Sequence, residues 1–166
     1  QEALMPNVVE TARRMLATYL VLTIVGGVLL FLSGIPVWDS VNLVMTAIST
    51  GGFTVHESGM AYYGNPFLEA LLIPIMLAGS LPLQLFYLAA HGKASRFLSD
   101  TSVRAVLLFA AAGSFFIVLD LCLFSGLDLL TAARQGIFCA VSGLTNTGFQ
   151  NANPHLWASL PVIMLT

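Results

Sequence analysis

A glycine turn placed where a membrane helix would otherwise run constrains this chain more than any other feature. Met45-Thr46-Ala47-Ile48-Ser49-Thr50-Gly51-Gly52-Phe53-Thr54 lies between two apolar segments, each long enough to cross a bilayer, and is not a third crossing. Adjacent glycines after hydroxyl side chains let the backbone turn sharply and present carbonyls without Cβ obstruction. Irregular backbone at membrane depth persists only where protein buries it or where it meets water and ions. A second version follows in Val141-Ser142-Gly143-Leu144-Thr145-Asn146-Thr147-Gly148-Phe149. Ser49-Thr50-Gly51-Gly52-Phe53 lies over Thr145-Asn146-Thr147-Gly148-Phe149 without a gap, and that repeat is the main clue to function.

Composition sets the solvent. Of 166 residues, 57% are apolar and 8% charged, whereas a soluble domain carries about a quarter charged residues. The expected class is an all-α integral membrane protein. A net charge of −2 without a basic stripe argues against a nucleic-acid partner. Cys122 and Cys139 lack metal spacing and read as buried free thiols rather than a disulfide. No cleavable signal is visible over residues 1–9. The chain opens at Gln1 and stops at Thr166 inside an apolar run, which suggests a piece of a longer polypeptide.

In chain order, a membrane–pore–membrane unit is expected over residues 1–92. Its crossings lie near 11–33 and 67–90, a short pore helix near 40–48 with Asp39 or Ser40 as cap, and the filter turn at 49–53. Gly26-Gly27 suggests close helix packing, and Pro74 and Pro82 suggest kinks. Ser80 and Gln84, polar within the second crossing, either line a pathway or bond to a neighbouring helix. The next unit, 93–166, is cut short. It has a crossing near 103–124 entered through Ser99-Asp100, a pore helix near 129–144 opened by Asp128, a filter turn at 145–149, and the start of a last crossing at 154–166.

Charge gives the orientation. Arg13, Arg14, Lys93, Arg96 and Arg104 fall on one side of this arrangement, and Arg134 falls on the other with Asp39, Glu57, Glu69 and Asp128. The positive-inside rule puts the basic side in the cytoplasm, so both glycine turns open outward. The four acids either make a cation-accepting mouth or serve as caps and solvated loop charges. Each short helix also directs the negative end of its dipole at its turn, where a cation is favoured.

Replacing the water shell of a potassium ion takes a ring of oxygen dipoles, which backbone carbonyls supply. Thr50-Gly51-Gly52-Phe53 has the form hydroxyl, small residue, glycine, aromatic, like a degenerate potassium-channel signature whose ring braces the glycine from behind. Here the sequence resembles the Trk/Ktr/HKT superfamily of potassium transporters, which carry four membrane–pore–membrane units in one chain. Thr46 to Phe53 is similar to the second unit's filter in bacterial Trk-type subunits, and Ser142 to Phe149 to the third unit's. Ser99-Asp100 with Arg104 looks like the entry to that third unit. The resemblance covers nearly the whole chain and half of a complete transporter.

That resemblance implies a pseudo-fourfold pore in which Gly52 and Gly148 each contribute to the filter. Carbonyls of Ser49, Thr50, Gly51, Thr145, Asn146 and Thr147 would join them, with Phe53 and Phe149 as support. It implies potassium as transported substrate, no covalently bound cofactor, and a multi-pass location in the lipid of the cytoplasmic (inner) membrane. It also implies a homodimer and a cytoplasmic nucleotide-binding regulatory subunit, and places a gating loop beyond Thr166. Two departures stand out: Asn146 replaces a more usual threonine, and Pro82 with Gln84 sits where Trk-type proteins tend to have Asn and His.

Rival readings fit less well. His56, His91 and His155 show no zinc or triad spacing and read as loop or interface histidines, so an enzyme is not expected. Asp120, an acid on an apolar segment, reads as a snorkelling or paired side chain ahead of an ion relay. A broken-helix secondary transporter for another cation or small solute remains the alternative. It calls for inverted repeats, whereas these two units run in the same direction.

Overall fold

The computed structural model describes residues 8–90, 97 and 99–151, and its regular elements there are all helical. Helix α1, Val8–Leu32, is tied at its start by an Arg14 Nε to Glu10 Oε1 ion pair of 2.9 Å. Its apolar span has a mean hydropathy of 2.4, yet only 11% of it is buried. Leu20, Ile24, Val28 and Leu32 project outward, a surface suited to hydrocarbon and not to water. Gly26 turns inward and admits Val44 and Ile75 against the α1 backbone.

Helix α2, Val37–Ile48, is about 18 Å long at 1.5 Å per residue, too short to cross. It starts earlier than Asp39 or Ser40 would set it. Pro36 takes the cap position at φ −55 and ψ 148, where its missing N–H costs nothing. Asp39 is therefore a first-turn residue, and the Ser40 hydroxyl donates back to the Pro36 carbonyl at 3.0 Å. A 3-10 turn, Gly59–Tyr62, interrupts the polar loop that follows.

The expected second crossing is two helices, α3 (Pro66–Ser80) and α4 (Leu83–Ala90). Asn65 caps α3, its Oδ1 accepting from the N–H groups of Phe67 (3.0 Å) and Leu68 (3.4 Å). Pro74 is carried inside α3, but Pro82 ends it. A proline drives the preceding residue out of the helical region, and Leu81 is extended at φ −91, ψ 151. Ser80 turns its hydroxyl onto its own helix, donating to the Leu77 carbonyl. Gln84 is exposed.

Helix α5, Thr101–Leu123, is the second span of membrane length, with mean hydropathy 2.4 and 22% of its apolar stretch buried. Asp100 caps it through Ser102 N–H at 2.8 Å. Helix α6, Leu129–Leu144, is short again and is capped by Asp128, which accepts from Thr131 N–H at 3.3 Å. In the first half α1 packs on α2, α3 and α4; in the second α5 packs on α6; α3 packing on α6 joins the halves. The shared core holds Leu43, Val44, Leu72, Met76, Phe138 and Phe149. The expected last crossing, 154–166, and the basic link at 91–96 lie outside the described residues.

Candidate functional site: two matched glycine turns

Both short helices end in the same way, residue for residue. The first closes with Ser49 N–H to Met45 O at 3.0 Å, Thr50 N–H to Ala47 O at 3.3 Å and Gly51 N–H to Thr46 O at 2.8 Å. The second closes with Thr145 N–H to Val141 O at 2.9 Å, Asn146 N–H to Gly143 O at 3.0 Å and Thr147 N–H to Ser142 O at 2.9 Å. These are Schellman closures, which satisfy carbonyls a helix end leaves open and require a left-handed residue after the cap. Ser49 and Thr145 sit at φ −78 and −79, each with ψ 0.

The left-handed positions are Thr50 at φ 53 and Asn146 at φ 57. Asparagine tolerates that conformation; a β-branched threonine is strained in it. Two residues on, Gly52 (φ 66) and Gly148 (φ 82) repeat the positive φ, while Gly51 and Thr147 between them do not. The sign of φ thus alternates through both turns, keeping the left-handed residues in equivalent places.

The turns meet. A Cβ on Gly52 would land on the Thr147 carbonyl oxygen and lie 3.5 Å from the Gly148 Cα, so only glycine fits there. Thr145 and Thr147 bury their side chains, with the two hydroxyls 2.8 Å apart and Thr145 Oγ1 donating to the Ser142 carbonyl at 3.3 Å. Asn146 and Gly148 are exposed, and the space around Gly148 is open. In the first turn Ser49 and Gly51 are exposed. Neither turn contains a charged residue. The aromatic residues part company: Phe149 is 2% exposed in the core, whereas Phe53 is 77% exposed, its ring edge beside Gly51.

Two buried carboxylates stand around these turns, and sequence reasoning assigned neither its partners. Asp39, on α2, accepts from Tyr63 Oη at 2.8 Å and pairs with His56 Nε2 at 3.0 Å, while the His56 ring stacks on Tyr62 with centroids 3.6 Å apart. Burial, and then the bond to Asp39, push the Tyr63 phenol above its ordinary range. Glu69, on α3, takes Arg134 Nη2 on Oε1 at 2.7 Å and Arg134 Nε on Oε2 at 2.9 Å, and Oε2 also accepts from Asn151 Nδ2 at 2.8 Å. So Asp39 and Glu69 are neither mouth-lining acids nor solvated charges; Asp128 is a cap, and Glu57 is exposed. One signal was legible: Arg134, the single basic residue on an acidic side, invited a search for its partner.

Cys139 is buried and Cys122 partly buried, both free. Asp120 is 8% exposed, with an Oδ2 that has no hydrogen-bond partner among the described residues. His56 serves the Asp39 cluster; His91 and His155 lie outside the described residues. Among the described residues no group of three His, Cys, Asp or Glu is placed to hold a metal ion.

Lipid-facing crossings alternating with short helices that end in glycine turns define an all-helical integral membrane protein of repeated, potassium-channel-like units. Within that class the chain belongs to the TrkH family of cation transport proteins, whose model matches residues 1–165. It is 29% identical over 167 residues to an uncharacterised cation transporter of Methanocaldococcus jannaschii, covering 99% of this chain and 32% of that one. It is 27% identical over 162 residues to the Trk system potassium uptake protein TrkI of Halomonas elongata, covering 95% and 32%. Its fold matches the crystal structure of the potassium transporter TrkH from Vibrio parahaemolyticus with a TM-score of 0.90 at 23% identity, over 99% of this chain and 36% of that one. The chain therefore spans about a third of the length of the relatives it matches.

Proposed function

We propose that this chain supplies two filter segments of a potassium pathway, with Gly52 and Gly148 at its narrowest level and backbone carbonyls of Ser49 to Gly51 and Thr145 to Thr147 as further ligands. The observation that carries this is the matched pair of turns, alternating in the sign of φ at equivalent residues. Alternation of handedness turns successive peptide planes the same way, so their carbonyls gather on one edge instead of alternating as in a strand. Burial of the Thr145 and Thr147 side chains leaves the backbone and the exposed Asn146 amide as the polar groups of the second turn. An uncharged turn at the negative end of a helix dipole suits a monovalent cation whose hydration shell must be matched and then released.

In this reading the chain works in the cytoplasmic (inner) membrane as part of a longer polypeptide. The names of its relatives favour potassium uptake through a membrane subunit. Pairing as a homodimer and docking of a cytoplasmic nucleotide-binding regulator follow from family resemblance.

The test is rubidium uptake into proteoliposomes carrying the intact parent chain, with and without Gly52→Ser, under competing potassium and sodium. Uptake blocked by potassium, with preference moved towards sodium by the serine, is the expected result. A folded Gly52→Ser protein with unchanged preference would show the turn to be structural only.

A further inference from the structure

We infer that Glu69 is a positioning residue for the second glycine turn: from the first half of the chain it holds both the helix that enters that turn and the segment that leaves it. The inference rests on the proposed filter role of Thr145 to Gly148 and adds the device that sets their place.

The geometry converges on one side chain. Glu69 is 3% exposed on α3, and both of its oxygens are occupied. Arg134 lies in the first half of α6 and meets the carboxylate with two nitrogens in a fork, which fixes direction as well as distance. Asn151 lies two residues after Phe149 and donates to Oε2 at 2.8 Å. The Asn151 side-chain Oδ1 in turn accepts from Cys139 Sγ, back on α6, at 3.3 Å. The path Arg134–Glu69–Asn151–Cys139 therefore closes a ring that joins the helix entering the turn to the segment leaving it.

Carbonyl coordination depends on sub-ångström placement, and the turn's own bonds fix only its helix side. The N–H groups of Thr145 to Gly148 all return to Val141, Ser142 or Gly143. On the far side the core burial of Phe149 and the contact through Asn151 supply the restraint. A buried carboxylate whose charge is paired by a forked guanidinium, and whose remaining acceptor site is filled by a neutral amide, is a stiff anchor in a medium of low polarity. The first turn lies on the same anchor's helix: Gly79 of α3 packs on the backbone of Ala47 and Ile48. Glu69 therefore references the second turn to the element that also supports the first, and the two turns touch at Gly52 and Thr147.

Asn151→Ala separates positioning from stability, since it leaves the Glu69–Arg134 ion pair intact and frees only the segment after Phe149. We would measure rubidium uptake against competing sodium, together with the melting temperature, in the intact parent chain. The variants are Asn151→Ala, Glu69→Gln, and Gly52→Ser as the filter control. Expected are a rubidium preference reduced roughly five- to tenfold in Asn151→Ala, a size typical of coupling between linked sites, with nearly parental melting, and a similar or larger loss in Glu69→Gln. Should Glu69→Gln fail to fold, Asn151→Ala alone decides. A folded Asn151→Ala that keeps parental preference while Gly52→Ser loses it overturns the positioning role and leaves the filter reading standing. If Gly52→Ser also keeps parental preference, the filter reading falls and this inference with it.

Discussion

Gly79→Ala is a small change with a calculable consequence. Gly79 lies near the end of α3, where a Cβ would stand 2.6 Å from the Ile48 carbonyl oxygen, 2.8 Å from that of Ala47 and 2.8 Å from the Ile48 Cα. All three are backbone atoms of the last turn of α2, immediately before Ser49, so no side chain can swing aside. Reaching even a tight 3.0 Å contact requires the helices to part by about 0.4 Å, and an ordinary 3.4 Å contact by about 0.8 Å. Overpacking of this kind costs about 1–3 kcal/mol, against roughly 1 kcal/mol gained because alanine favours the helix. The control is Gly113→Ala in α5, where a Cβ meets nothing within 4 Å and only the gain should appear. Melting in detergent should therefore separate the two variants by about 1–3 kcal/mol. The displaced first turn should also lower rubidium preference in Gly79→Ala alone. Equal melting and equal preference in both variants would refute the backbone crossing and the support it gives the turn.

Other outcomes follow from the same geometry. Thr50→Gly should raise the melting temperature more than Asn146→Gly, since a β-branched residue is the more strained of the two at positive φ. Asn65→Ala removes the cap of α3 and should cost about 1 kcal/mol by denaturant or thermal unfolding. Tyr63→Phe takes a donor from the buried Asp39 carboxylate and should cost about 1–3 kcal/mol. With its pKa raised above the unfolded value of 10.0, Tyr63 contributes stability that is complete below that pH and is lost as pH rises above it. Melting curves at alkaline pH should therefore show a smaller decline in Tyr63→Phe than in the parent.

Much of the architecture was legible because the signals are local. An apolar run of membrane length, a capping Asp100 or Asp128, and a hydroxyl-glycine-aromatic turn each act over a few residues, and α1, α5 and α6 fall close to where those signals put them. The split at Pro82 was half legible. Proline announced a kink, but whether a helix bends through it or stops depends on what neighbours can rescue the freed carbonyls. Pro74 was carried and Pro82 was not. The start of α2 went astray for a similar reason: Asp39 has the chemistry of a cap, but Tyr63 and His56 engage its carboxylate from a distant loop.

By itself, then, the sequence determined the solvent, the alternation of long and short helices, and the repetition of one turn, since hydropathy, propensity and glycine's backbone freedom are properties of short stretches. Only the tertiary structure decided which acids are anchors and how the turns face each other. Glu69, Arg134 and Asn151 are far apart in sequence, and a charge at helix spacing looks the same whether water or a distant guanidinium satisfies it. The fit of Gly52 against the Thr147 carbonyl is likewise a fact of packing: it exists only once α3 has brought the two halves together.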